Sequence, residues 1–147
     1  MVNRDKRNTA AVLIGRFLAG EITNDDFDAS FPDDKRDPAL RAIYGRLWFH
    51  FDDRRTHWLS GPHAPNERTR ALFERCVAFL RSDLEYEWPA RLFAAPLALV
   101  LTRALGLRNA TARRERQADA HLRRFGELDT WPFVSERDLR RVKGDAS

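Results

Sequence analysis

The stretch that most constrains this chain is 37–53, Asp-Pro-Ala-Leu-Arg-Ala-Ile-Tyr-Gly-Arg-Leu-Trp-Phe-His-Phe-Asp-Asp. Asp37 can accept from the first free amides of a helix, and Pro38 suits the first helical position. Leu40, Ile43, Tyr44, Leu47, Trp48 and Phe51 then recur at spacings of three and four, which puts them on one helical face. The pattern predicts one continuous helix over 37–53. It is the most aromatic and most periodic segment, so the remaining helices are expected to pack around it.

Composition supports a packed core. Of 147 residues, 43% are hydrophobic, with ten Phe and four Trp, which argues against disorder. That length suits one domain over 1–147, with 1–8 and 144–147 expected to fray. Leu40, Ile43, Leu47, Trp48, Phe73, Val77, Leu97 and Val100 are the expected core. The single cysteine, Cys76, lies among Phe73, Val77, Phe79 and Leu80. It reads as a small buried hydrophobe in a chain suited to a reducing cytoplasm. The short apolar run Val12-Leu13-Ile14 breaks at Gly15-Arg16, so no secretory signal is read. The longest apolar run, 92–101, is too short to span a bilayer and contains Pro96.

The other elements follow from their punctuation. A first helix is expected over 9–19, with Gly20 as its stop. Thr23 followed by Asp26 resembles a capping box opening a short second helix, which Pro32 ends. Trp58-Leu59 reads as an apolar anchor before a turn-rich loop at 60–65. Asn66 caps a helix running to about Ser82. The acid and apolar residues of 83–88 alternate, as in an extended link or one more helical turn. Residues 91–105 read as a buried helix, 111–125 as a surface helix, and Trp131-Pro132-Phe133 as an apolar clip. Ser135, with Asp138 three residues on, opens a last short helix. No strand-like run occurs. The fold class expected is all-α, a bundle of about six helices with short loops.

Charge is polarised along the chain. The net charge is +4, yet 21–53 carries nine acids against four bases and 103–124 carries seven bases against two acids. An acidic face suits a basic protein partner and a basic one suits phosphates. The candidate contact acids for such a partner are Asp25, Asp26, Asp28, Asp52, Asp53, Glu85 and Glu87. Helix capping is a competing use for Asp25 and Asp26. Arg113, Arg114, Arg116, Arg123 and Arg124 could instead grip nucleic acid, but aromatic groups for base stacking are sparse there.

Catalytic signals are weak. His50, Asp53 and His57 would share a face on a continuous helix, as metal ligands can. No fourth ligand accompanies them, and the surrounding Asp52, Arg54 and Arg55 make ordinary helix-end composition. Paired acids on exposed turns do not form a general acid–base pair. No phosphate-cradling glycine loop or nucleophile elbow is present. The expectation is a non-enzymatic protein without cofactor or metal.

Several segments carry a family likeness. Residues 17–27, Phe-Leu-Ala-Gly-Glu-Ile-Thr-Asn-Asp-Asp-Phe, resemble a helix, Gly-Glu-Ile turn and acidic helix found in small bacterial proteins. Residues 42–53 are similar to their Leu-Trp helix ending in paired aspartates, and Trp131-Pro132-Phe133 to their C-terminal clip. These features resemble the immunity proteins of bacterial toxin–immunity modules, including contact-dependent growth inhibition. The likeness spans about half the chain. It implies a cytoplasmic protein that occludes a cognate toxin, often a basic nuclease, and implies no catalytic residue. The net charge of +4 departs from the acidic balance of a nuclease inhibitor.

Overall fold

Two arginines near the start of the chain set the arrangement of its helices. The computed structural model describes residues 1–51, 54–89, 116–117 and 119–145. Helix α1 spans Arg4–Leu18, with the Asn3 side chain accepting from the Lys6 amide at 3.2 Å. It therefore begins five residues before the expected start at Thr9, and residues 4–8 are ordered helix where fraying was expected. The reason is long-range. Arg4 donates to Leu80 O at 2.8 Å and to Ser82 O at 2.5 Å, while Arg7 donates to Leu84 O at 2.7 Å. These carbonyls lie at and beyond the C-terminus of helix α4, Glu67–Arg81. A helix C-terminus leaves carbonyls unsatisfied and carries partial negative charge, so two guanidinium groups hold it well.

Helices α1 and α4 consequently run antiparallel. They form the most extensive helix pair among the described residues, and α1 also touches α2 and α3. The hub is α1 rather than the expected 37–53 helix. Its buried stripe is Arg7, Ala10, Ala11, Ile14 and Phe17. The two alanines let a neighbouring helix approach closely. The facing stripe of α4 is Leu72, Phe73, Cys76, Phe79 and Leu80, with Asn66 capping through the Thr69 amide at 2.8 Å.

Local punctuation ends α1. Gly20, at φ +72°, donates to Phe17 O at 3.0 Å, and Glu21 donates to Arg16 O at 2.9 Å. This is a Schellman turn, which requires a left-handed residue at Gly20. Helix α2, Asn24–Ser30, starts with a complete capping box. The Asp26 amide donates to the Thr23 hydroxyl, and the Thr23 amide donates to the Asp26 carboxylate, each at 3.1 Å.

Helix α3 spans Pro38–Trp48, with Asp37 as its cap and Pro38 in the first turn. It stops five residues short of the expected end at Asp53, because Phe51 is taken into an aromatic cluster. Phe51 meets Phe17 edge-on at 5.1 Å and Phe27 at 5.8 Å, while Phe17 and Phe27 stack at 4.7 Å. Beyond it, Asn24 holds the loop at 55–57. Its side chain accepts from the His57 amide at 2.8 Å and donates to Arg55 O at 3.2 Å.

After α4 the chain is non-helical over 82–89, with Tyr86 and Trp88 buried and Glu85 and Glu87 exposed. Trp131, Pro132 and Phe133 are buried against it, as the clip reading expects. Trp88 Nε1 donates to Pro132 O at 2.9 Å, and Trp131 Nε1 donates to the Tyr86 hydroxyl at 3.3 Å. The Trp131–Pro132 peptide is cis. Helix α5, Glu136–Asp145, leans Leu139 and Val142 on the core and packs on α4. It keeps residues 144–145 helical, where fraying was expected. Helix also runs over 119–122 but has ended by Arg123, earlier than the expected Phe125.

The fold is all-α, with no strand among the described residues. Leu40, Ile43, Leu47, Trp48 and Phe73 are buried as expected, and Val77 is half-buried. Leu97, Val100 and the helix expected over 91–105 lie outside the described residues.

Candidate partner-binding face

The Schellman turn and the capping box together hold the start of α2 at the end of α1 farthest from Arg4. Asn24 then pins the loop at 55–57 beside it. The Asn24 amide donates to His57 O at 3.0 Å, which pairs backbone with backbone. Across this junction the Thr56 hydroxyl donates to the exposed Asp25 carboxylate. Two residues on, Leu59 is buried while Trp58 stands 52% exposed. The expected apolar anchor is thus Leu59 alone. An indole half in water is unusual in a core-rich chain and suits a protein contact. Adjacent residues in an irregular loop face opposite ways, and no spacing in the sequence announces which of Trp58 and Leu59 faces out.

The seven proposed acids do not gather at one place. Asp25 and Asp26 are exposed in the first turn of α2, where Asp25 accepts from Thr56. Asp26 is committed to the capping box. The Thr23 amide and hydroxyl, with a smaller contribution from Arg16, hold its carboxyl below the usual range. Asp28 is half-buried and accepts from the Tyr44 hydroxyl at 3.3 Å. Glu85 sits by the Met1 amine at 3.1 Å, at the opposite end of α1. That helix is about 22 Å long at 1.5 Å per residue, so Glu85 and Asp25 belong to separate surfaces. Exposed Glu87 follows Glu85 on the same non-helical segment. Asp52 and Asp53 lie outside the described residues. Asp33 and Asp34, in the link between α2 and α3, are engaged locally. Asp33 pairs with Arg41 at 3.0 Å. Asp34 accepts from the Arg36 amide at 2.9 Å and from Asn3 Nδ2 at 2.6 Å, and these bonds lower its pKa to about 2.

The proposed His50, Asp53 and His57 face is not built. With α3 ending at Trp48, the two histidines do not share a helix. His57 Nδ1 lies 2.8 Å from Arg55 O, and its ring stacks on His63 at 4.1 Å. Asp53 lies outside the described residues. Among the described residues no three His, Cys, Asp or Glu side chains are grouped to hold a metal ion. Cys76 is fully buried, and burial pushes its thiol pKa up, which disfavours a reactive thiolate.

His50 sits instead against charged neighbours on other elements. Burial, followed by the nearby Arg46 and Arg68 charges, depresses its pKa from 6.5 to about 4, against a smaller opposing pull from Asp119. The neutral ring therefore contributes stability that is complete above about pH 6.5 and is lost as pH falls through about 4. Urea titrations at pH 7 and pH 4 should show the native chain losing roughly 2–4 kcal/mol more than His50→Gln does. Equal losses in both chains would show that the imidazole is not desolvated.

The proposed nucleic-acid surface is only partly described. Arg116, Arg123 and Arg124 are exposed, whereas Arg113 and Arg114 lie outside the described residues. Among the described residues no helix is long and apolar enough to cross a membrane. No family model, curated protein or solved structure matches this chain.

Proposed function

We propose that this chain is a non-enzymatic, cytoplasmic binding protein of the immunity type, which neutralises a cognate bacterial toxin by covering its active site. The observation that carries the reading is the exposed indole of Trp58, two residues beyond Thr56, whose hydroxyl donates to the exposed Asp25 carboxylate. An aromatic anchor next to acidic groups suits a basic protein surface, since the ring supplies buried area and the carboxylates steer encounter. Asp25, Asp26 and the neighbouring Glu21 form the acidic margin of this face, and Asp52 and Asp53 are near it in the chain. Glu85 and Glu87 would belong to a second contact of a large partner. The family likeness over residues 17–27 covers the same turn and helix.

The test uses the polypeptide encoded immediately upstream as the partner. Stopped-flow association with Asp25→Lys should slow about tenfold, and Trp58→Ala should raise the dissociation rate by a similar factor. Circular dichroism of both variants should match the parent, because neither side chain is buried. Unchanged rates in both variants would overturn this assignment of the face. Recovery of nucleic acid in place of a protein partner, released by neutralising Arg116, Arg123 and Arg124, would establish the rival nucleic-acid reading.

A further inference from the structure

A cleft of about 620 Å³ opens where α3, the start of α4 and the 119–131 segment meet. It is remote in function from the Trp58 face and is lined by the opposite charge. Arg46, Arg68, Arg75 and Arg123 all contribute to its wall, together with His50. Two acids, Asp119 and Asp129, also line it, which leaves an excess of two positive charges with His50 neutral.

The arginines are held in ways that leave donors over. Arg46 Nη1 is fixed by Asp119 at 2.9 Å, and both side chains are largely shielded from water. Arg75 is half-buried and spends only Nε, donating to Trp131 O at 3.1 Å. Its two terminal nitrogens have no hydrogen-bond partner among the described residues. Arg68 and Arg123, exposed at the rim, have no ion pair among the described residues. His50 Nε2 is buried with no hydrogen-bond partner among the described residues. Burial lowers the Arg75 pKa, against an opposing pull from Cys76 and Asp129, and the nearby Arg68 and Arg46 charges add to the lowering. The same two arginines act on His50. The positive groups thus converge on one volume. A half-buried guanidinium with spare donors and a buried unpartnered imidazole nitrogen are costly unless something accepts from them.

We infer that this cleft binds the phosphate group of a small phosphorylated molecule through Arg68, Arg75, Arg123 and His50. A phosphate monoester carries about −1.5 to −2 charge at pH 7, which balances the excess. It presents three acceptor oxygens, more than a carboxylate has, to guanidinium forks whose planar geometry suits them. The cavity lies within the size range of small-molecule sites, about 300–1,000 Å³. Arg46 and Asp119 act as the rigid wall that keeps Arg75 and His50 facing inward.

The full-length chain can be titrated with inorganic phosphate and with glycerol phosphate, each against sodium chloride of equal ionic strength. Both phosphates are expected to raise the melting temperature saturably. In the NMR spectrum of the imidazoles, they should move the His50 midpoint upward from about 4, because an adjacent anion favours imidazolium. Arg68→Gln and Arg123→Gln alter only exposed side chains, so both should fold, and together they should weaken phosphate binding at least tenfold. Arg75→Lys keeps the charge but loses the fork and should also weaken it. A response to phosphate no larger than that to chloride overturns the proposal. So does tight binding of a short single-stranded oligonucleotide that glycerol phosphate fails to displace, since the phosphate would then come from a nucleic-acid backbone.

Discussion

Asp37→Ala is expected to destabilise the chain by about 3–5 kcal/mol, the cost of leaving one member of a buried ion pair alone. Arg7 and Asp37 are both fully buried. Arg7 Nε meets Asp37 Oδ2 at 2.6 Å and Arg7 Nη2 meets Oδ1 at 2.9 Å, a two-point fork. The same carboxylate accepts from the Asn3 amide at 2.9 Å and from the Ala39 amide at 3.3 Å. One residue therefore caps α3, ties down the start of α1 and neutralises the arginine that reaches Leu84 O. The guanidinium also lies 5.3 Å from the Phe79 ring centre. Removing the carboxylate strands that charge in the core between three elements. Urea unfolding followed by circular dichroism measures the loss. A change below about 1 kcal/mol would mean that water reaches Arg7 in the folded chain.

Acid should reveal the same cluster. Burial works to raise the Asp37 carboxyl, but the Arg7 hydrogen bonds, the Asn3 amide, the Arg7 charge and the Ala39 amide outweigh it and hold the group below the usual range. A carboxylate with a lowered folded pKa contributes stability above its unfolded value, near 3.8, and loses it as pH falls further. Asp34 behaves alike, with its contribution lost as pH falls through about 2. Acid unfolding of the parent chain below about pH 4 should therefore be steeper than that of Asp37→Asn.

Phe17→Ala is expected to cost about 3–5 kcal/mol, through lost burial and the cavity left behind. Phe17 is fully buried and stands at the centre of the aromatic cluster. It stacks on Phe27 from α2, meets Phe51 edge-on beyond α3, and faces Phe73 of α4 at 6.3 Å. Four segments lose contact at once. Because Phe51 leaves α3 to reach this cluster, the variant should also loosen residues 49–51, detectable as faster amide exchange of His50 and Phe51. A loss confined to α1 would show that the cluster is not cooperative. Phe31 is a useful comparison. It is half-buried at the edge of the same cluster, 5.3 Å from Phe27, so Phe31→Ala should cost distinctly less.

The residue order by itself determined the helical class and most helix boundaries that depend on near neighbours. Thr23 with Asp26, Asp37 with Pro38, Asn66, and Gly20 are each read correctly, because a cap acts over two or three residues and needs no tertiary partner. The Trp131–Phe133 clip was legible as an apolar island in a polar stretch. Four features required the folded chain. The early start of α1 depends on Arg7 meeting Asp37, thirty residues away, and on Arg4 meeting the end of α4. In the sequence these arginines are simply part of a charged leader. The early end of α3 depends on Phe51 joining Phe17 and Phe27, a competition between two buried sites that helical periodicity alone does not resolve. The exposure of Trp58 and the convergence of Arg68, Arg75 and Arg123 on His50 depend on which loops and helices meet. Local backbone signals are written in neighbouring residues, whereas burial and electrostatic surroundings belong to distant ones, and only packing brings those together.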